Sequence, residues 1–174
     1  MHEVEAKVHI SKGDFLRLKK ELDNIAGFKG EETKKDTYYG NDNTVHIRLR
    51  ETEKSVVLAI KDKININGIE SNSELEWGIS DKKGFEDFLK KIGLKQFIKK
   101  LKTTRAYQFK GFNIELNYVK NLGYFLEIER VVKSKSQIPK TKKELIDIFK
   151  RFGFKQSQFE KRYYVDLLQK KLNV

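Results

Sequence analysis

Two periodicities alternate along the chain. Three segments repeat apolar residues every three to four positions, the spacing that puts them on one face of a helix. The first opens at Ser11 with Asp14 three residues on, a capping-box-like start, and carries Phe15, Leu18, Leu22 and Ile25. The second starts near Asp81 and groups Phe85, Phe88, Leu89 and Ile92. Thr141 with Glu144 opens the third, whose apolar face is Leu145, Ile148, Phe149 and Phe152. Each is followed by glycine, an apolar residue and lysine (Gly27-Phe28-Lys29, Gly93-Leu94-Lys95, Gly153-Phe154-Lys155), and glycine there supplies the left-handed backbone that closes a helix. A fourth amphipathic segment runs from Phe159 to Leu172 with Tyr163, Leu167 and Leu168. Residues 2–10, 45–51, 55–62, 73–79, 104–110, 112–119 and 124–132 alternate with period two and read as strands. Gly111 and Leu122-Gly123 stand where hairpin turns belong, and the polar, Asn-rich stretch 62–73 reads as a mobile loop. No linker interrupts the pattern, so a single α+β domain over residues 1–174 is expected.

The polar positions of the strands are charged in tight i, i+2 doublets. Glu3, Glu5 and Lys7 share one face of the first strand, against Val4, Ala6 and Val8. Arg48 and Arg50 oppose Ile47 and Leu49, Lys61 lies on the face opposite Leu58 and Ile60, and Asn113, Glu115 and Asn117 alternate with Phe112, Ile114 and Leu116. Glu-apolar-Glu recurs at Glu3/Glu5, Glu74/Glu76 and Glu127/Glu129. A wet face of an antiparallel sheet is the plain reading of any one strand. The alternative is a sheet curled with this face inward, which would enclose carboxylates and cations that only a ligand could neutralise. Clustered carboxylates suit a hard divalent cation, Mg²⁺ or Mn²⁺, and convergent Arg and Lys suit phosphate oxygens. Together they describe a metal–polyphosphate complex.

Composition narrows the classes. The absence of cysteine excludes a disulfide scaffold, a thiolate zinc site and a cysteine nucleophile. His2, His9 and His46 have no ligand spacing, and no Walker-type glycine loop occurs. No apolar run is long enough to span a membrane, and Met-His-Glu-Val-Glu is not a secretory leader, so a cytoplasmic protein is expected. With 37 Lys+Arg against 25 Asp+Glu the formal charge is +12, which raises nucleic acid as a partner. The lysines are scattered doublets without an aromatic-basic RNA-binding signature, so that reading ranks below a small anionic ligand.

In chain order, Glu3-Val4-Glu5-Ala6-Lys7, Asp36-Thr37-Tyr38-Tyr39, Ile47-Arg48-Leu49-Arg50, Leu58-Ala59-Ile60-Lys61, Glu74-Leu75-Glu76, Arg105 before Tyr107, Leu122 to Glu129 and Arg162 to Leu168 resemble the CYTH superfamily of triphosphate tunnel metalloenzymes. The resemblance covers nearly the whole chain. It implies a closed antiparallel β-barrel of about eight strands, the tunnel, with helices packed outside. It implies one or two Mg²⁺ or Mn²⁺ ions on Glu3, Glu5, Glu127 and Glu129, with Asn117 as a further oxygen ligand. Lys7, Arg48, Arg50, Lys61 and Arg105 would bind a triphosphate, with Glu74, Glu76 and Arg162 completing the substrate site. Tyr38 and Lys61 would activate water. Two positions depart from the family's pattern: Asn117 where an aspartate is usual, and Thr103 where a lysine is usual, its neighbour Lys102 being expected to face outward unless a bulge re-aims it.

The expected function is divalent-metal-dependent hydrolysis of inorganic triphosphate or a small organic triphosphate. The alternative is a class IV adenylate cyclase, which converts ATP to cyclic AMP and pyrophosphate with the same grip. Cyclases of this class often carry residues ahead of the signature, and the start of this chain almost at Glu3 favours hydrolysis. His46 stands where thiamine triphosphatases tend to place a stacking tryptophan, so thiamine specificity has no support. A non-catalytic polyphosphate binder is the lesser alternative, and monomer and homodimer both remain open.

Overall fold

Both faces of the first strand, β1 (His2–Ile10), are enclosed, and the two environments are opposite in kind. Val4, Ala6 and Val8 are almost wholly buried beneath helices, while Glu5 and Lys7 are equally buried on the other side. The computed structural model describes residues 2–40 and 47–172, with the side chains of all of these except 61–64 and 72–74. After β1 come α1 (Lys12–Ile25), β2 (Gly27–Gly40), β3 (Ile47–Glu51), β4 (Val56–Ile66), β5 (Ile69–Gly78) and α2 (Lys82–Lys91). They are followed by β6 (Lys95–Phe109), β7 (Phe112–Val119), β8 (Gly123–Val132), α3 (Ile138–Arg151) and α4 (Tyr164–Leu172). Eight strands close a barrel in the order β1-β5-β4-β3-β2-β6-β7-β8, every neighbour antiparallel. Closure comes from β1, which pairs with β8 from His2–Val132 to Ile10–Tyr124 and with β5 from Glu3–Asn72 to Ala6–Ile69.

The apolar core therefore lies outside the barrel wall. Leu18 and Leu22 of α1 and Leu145, Ile148 and Phe149 of α3 pack on the outward residues of β1, β7 and β8, among them Val4, Ala6, Ile114, Leu116, Leu126 and Ile128. Each such side chain contributes about 1.5–3 kcal/mol by leaving water. Leu89 of α2 joins Tyr39 and Leu49 on another part of the wall. Val165 and Leu168 of α4 pack with Tyr38 and Ile98, and Tyr164 with Val119 and Phe125, which sets this helix across one end of the barrel.

Several elements differ from the periodicity reading. Strand β2 went unread because residues 27–40 lack apolar alternation: its ladders to both β3 and β6 hold it extended. Strand β6 begins at Lys95, nine residues before the alternation becomes visible. The stretch 62–73 is a hairpin, not a loop: Ile66 pairs with Ile69 across Asn67 (φ 54°) and Gly68 (φ 81°). Two successive positive φ values make the tight turn that matches strand twist. Helix α1 begins as expected, with the Ser11 hydroxyl accepting from the Asp14 amide. Helix α3 starts earlier, at Ile138, because Pro139 fits a first turn; Thr141 lies inside and its hydroxyl donates to the Gln137 carbonyl. Helix α4 starts later, at Tyr164. Gly93 and Gly153 are left-handed (φ 86° and 91°), whereas Gly27 simply opens β2.

Gly68 has a second constraint. A Cβ there would sit 2.6 Å from Cβ of Phe159, the residue that bridges to Val8 of β1. Gly68→Ala adds that clash to a left-handed backbone and is expected to cost about 2 kcal/mol or more, read as a lower urea midpoint. An unchanged midpoint would mean the turn shifts freely.

Candidate functional site

The barrel interior is a charged cavity of about 260 Å³. It is lined by Lys7, Lys34, Arg48, Arg50, Lys100 and Lys102, by Glu3, Glu5, Glu70, Glu76, Glu115, Glu127 and Glu129, and by Tyr38, Tyr163, Tyr164 and Val165. The polar faces of the strand doublets thus converge, as an inward-curled sheet requires.

Each cation is held by a carboxylate from another strand. Lys7 Nζ lies 2.7 Å from Glu70, Lys100 Nζ 2.8 Å from Asp36, and Lys102 Nζ 2.7 Å from Glu115 and 3.4 Å from Glu127. Arg50 donates from two nitrogens to the two Asp36 oxygens at 2.8 and 2.9 Å. Arg48 lies 3.6 Å from Glu76. These pairs bind the wall together and fix where the cations stand. Burial pushes the Asp36 carboxyl up, but Lys100 and Arg50 more than reverse this and hold it far below the usual range. Glu115 is likewise raised by burial and then drawn down to about 2 by Lys102 and Lys34.

One group of carboxylates behaves oppositely. Oxygens of Glu3, Glu5 and Glu129 all lie within 4.8 Å of one another. Two oxygens on opposite sides of a Mg²⁺, each at about 2.1 Å, span roughly 4 Å, so a small shift brings the three into range of one ion. Burial first, then repulsion from Glu115, Glu3, Glu127 and Glu5, pushes Glu129 well above the ordinary carboxylate range. Glu70, next to Glu5, is raised by burial and by Glu5 to about 7. The donor set, hard oxygens under mutual repulsion, fits a divalent cation.

The remaining sequence candidates divide. Tyr38 lines the cavity, and its hydroxyl accepts from Lys100 Nζ at 3.4 Å. Glu127 lines it too, but its Oε2 takes the Asn117 amide at 2.8 Å as well as Lys102. Asn117 is fully buried with its Oδ1 accepting from the Thr104 hydroxyl at 2.7 Å, so its amide nitrogen, not its oxygen, faces Glu115 and Glu127. This orientation removes Asn117 from the oxygen-ligand set. Arg105 is outside the barrel: it stacks on Phe28 and pairs with Asp23, Glu31 and the Tyr107 hydroxyl. Strand parity is the reason. Residues three apart face opposite ways, and it is Lys102, with Lys100, that points inward without any bulge between them. Arg162 is also outside, bound through both ends of its guanidinium to Glu160. Lys61 and Glu74 are register partners on β4 and β5, and both lie outside the residues whose side chains are described, as does His46.

Lys34, Asp36, Glu70, Lys100, Lys102, Glu115, Tyr163 and Tyr164 were not among the site candidates, though all but Asp36 line the cavity and Asp36 anchors two that do. Period-two spacing from Tyr38 reaches Asp36 and Lys34, and would have found them once β2 was recognised as a strand.

The raised carboxyls predict a pH dependence. A carboxyl whose folded pKa lies above its unfolded value binds more protons when folded, so its contribution to stability declines as pH rises between the two. For Glu70 that window runs from 4.5 to about 7, and Glu129 adds in the same sense. The metal-free protein should melt at progressively lower temperature from about pH 5 to pH 7 in chelator. Saturating Mg²⁺ or Mn²⁺ should flatten the decline, because the ion replaces the protons. Identical profiles with and without metal would argue against the three-glutamate site.

The family model for the CYTH domain matches residues 1–164. A Methanocaldococcus jannaschii protein, MJ0240, whose name proposes an adenylate cyclase, is 25% identical over 96% of this chain and 98% of its own length. The PH1819 protein of Pyrococcus horikoshii OT3 superposes with a TM-score of 0.81 at 30% identity over 97% of this chain and 99% of that one. The Hippeastrum protein HpAC1, described as having a dominant triphosphatase activity, shares the fold at a TM-score of 0.66 and 13% identity, over 97% of this chain and 95% of its own. A charged barrel interior built from the Glu3-x-Glu5-x-Lys7 strand, together with a family match over nearly the whole chain, places this protein in the CYTH domain family.

Proposed function

We propose that the protein hydrolyses a triphosphate, inorganic or small organic, inside the barrel with the help of Mg²⁺ or Mn²⁺. The observation that carries this reading is the meeting of two charge sets within one cavity: Glu3, Glu5 and Glu129 with oxygens inside 4.8 Å of one another, and Lys7, Arg48, Arg50, Lys100 and Lys102 ranged along the same interior. The carboxylate group would hold the ion, which when bound neutralises phosphate oxygens and polarises the phosphorus they surround. The cations would grip the remaining oxygens, Arg50 in an orientation already fixed by Asp36. At about 260 Å³ the cavity is below the ~300–1,000 Å³ typical for drug-sized ligands, and its lining is almost wholly charged. It suits a polyphosphate and leaves an organic substituent outside. Tyr38, its hydroxyl accepting from Lys100, is the polar group we place beside the attacking water.

We assign one ion rather than two. Glu115 and Glu127, the next carboxylates inward, already share the Lys102 ammonium and the Asn117 amide. The second reading is the adenylate cyclase, favoured by the name of MJ0240, since the same grip serves attack at the α-phosphorus.

Product analysis separates the readings. The protein is incubated with Mg²⁺ or Mn²⁺ and inorganic triphosphate, ATP or thiamine triphosphate, with Glu5→Gln as control. Orthophosphate released by wild type and lost in the variant supports hydrolysis; cyclic AMP and pyrophosphate from ATP transfer the assignment to the cyclase. Triphosphate binding without turnover leaves a binding protein. Titration with Mn²⁺ should saturate at one ion per chain.

A further inference from the structure

The three lysines that reach the plugged end of the barrel have a common neighbour. Nζ of Lys100 is 5.2 Å from the centroid of the Tyr164 ring, Nζ of Lys7 is 5.4 Å from it, and Nζ of Lys102 is 6.0 Å from it. The lysines come from β6 and β1, and each has its carboxylate on a different strand: Asp36 on β2, Glu70 on β5, Glu115 on β7. Those pairs hold each ammonium toward a different part of the barrel. Among the contacts of the described residues, Tyr164 is the ring that meets all three. Its own place is set by an edge-on contact with Phe125 at 5.0 Å and by its hydroxyl, which donates to Glu127 at 3.3 Å.

We propose that Tyr164 is a positioning residue, the shared π-face that holds Lys7, Lys100 and Lys102 as one convergent cation set for the triphosphate; this rests on the triphosphate reading above. Three ammonium groups crowded at one end of a closed barrel repel one another, and each is drawn toward a carboxylate on a different strand. The negative face of an aromatic ring at their centre opposes both tendencies without adding a charge that would repel phosphate. A carboxylate in that place would neutralise the lysines, and an aliphatic side chain would leave each lysine to its own carboxylate. The ring keeps them gathered yet available. Its approach on α4 also explains why the C-terminal helix lies across the barrel end rather than against its side.

The test compares Tyr164→Phe, Tyr164→Leu and Leu168→Ala, the last loosening α4 at a buried position that does not line the cavity. Affinity for inorganic triphosphate is measured by calorimetry, and Mn²⁺ affinity separately. The leucine variant should bind triphosphate roughly tenfold or more weakly, the scale expected from losing several cation–π contacts, with Mn²⁺ affinity unchanged. Phenylalanine should restore binding to near wild type, and in turnover the leucine defect should fall on KM more than on kcat. Equal losses in the phenylalanine and leucine variants would overturn the proposal in favour of the hydroxyl–Glu127 bond. A similar loss in Leu168→Ala would overturn it in favour of simple helix docking. Should the leucine variant fail to fold, lysine-selective labelling of the wild type decides: three upfield-shifted ε-methylene signals support the shared ring, and unshifted ones overturn it. Wild-type protein that binds no triphosphate would defeat the proposed function itself, a result distinct from all of these.

Discussion

Asp36→Ala is expected to destabilise the protein by about 3–5 kcal/mol, the range for removing one partner of a buried ion pair and stranding the other. The case is stronger than for an ordinary pair. The Asp36 side chain is fully buried, it receives two parallel hydrogen bonds from Arg50, and it faces Lys100 at 2.8 Å on the opposite neighbouring strand. One carboxylate therefore clamps β3, β2 and β6 together and neutralises two cations. Against a total stability of about 5–15 kcal/mol the loss is large. Urea denaturation should show it as a lower midpoint. The stabilisation is present above the ordinary carboxylate pKa and lost as pH falls below it, because the folded-state value is depressed. Wild type and variant should therefore converge in stability at strongly acid pH. Inorganic triphosphate should return part of the lost stability at neutral pH, since it offers anionic oxygens to the same Arg50 and Lys100. A variant as stable as wild type would mean that these cations relax into solvent, and that Asp36 does not set their place.

That clamp also shows where sequence reading reaches its limit. Apolar alternation finds strands with one face in a hydrophobic core, and β1, β7 and β8 satisfy it because α1 and α3 cover their outer faces. Strands β2 and the first half of β6 place charged residues inside and mix Lys, Thr and Glu with few apolar residues outside, so no sustained apolar period exists to detect. Asp36, Lys100 and Lys102 lie on those strands, where no period marks which face turns inward. Arg105 illustrates the same gap from the other side. The family resemblance set it among the phosphate-binding residues, whereas strand parity turns it outward, where it fastens α1 to the barrel through Asp23. The Asn67-Gly68 turn, by contrast, had a readable signal, a strong hairpin dipeptide between Ile-Asn-Ile and Ile-Glu, obscured only by the polar character of its flanks. The acidic group was the most legible part. Glu3, Glu5 and Glu129 come from strands with clean alternation, and strand register alone brings Glu5 opposite Glu129.

Glu129→Gln is expected to move activity and stability in opposite directions. Glu129 accepts from the Asn113 amide at 2.9 Å and otherwise faces Glu3, Glu5, Glu115 and Glu127, so its charge is opposed from four sides. The amide keeps the shape of the side chain and removes the charge. In chelator the variant should melt at higher temperature than wild type, by an amount corresponding to about 1 kcal/mol, the common yield from relieving one unfavourable functional position. The gain should grow from pH 5 to pH 7, since that is where wild type loses the protons that quieten the repulsion. With Mn²⁺ present the order should reverse, because wild type gains binding energy that the variant lacks. Turnover should fall by a hundredfold or more, as loss of several kcal/mol of charge stabilisation implies at 1.36 kcal/mol per factor of ten. Thermal melts with and without metal, alongside a phosphate-release assay, read all of these in one preparation. A variant less stable than wild type in chelator would show that Glu129 is a structural acceptor for Asn113. A variant more stable in chelator yet fully active would place the ion elsewhere in the barrel. The paired outcome, stabilised without metal and inactive with it, is the signature of carboxylates kept together at a cost in stability so that a cation can bind between them.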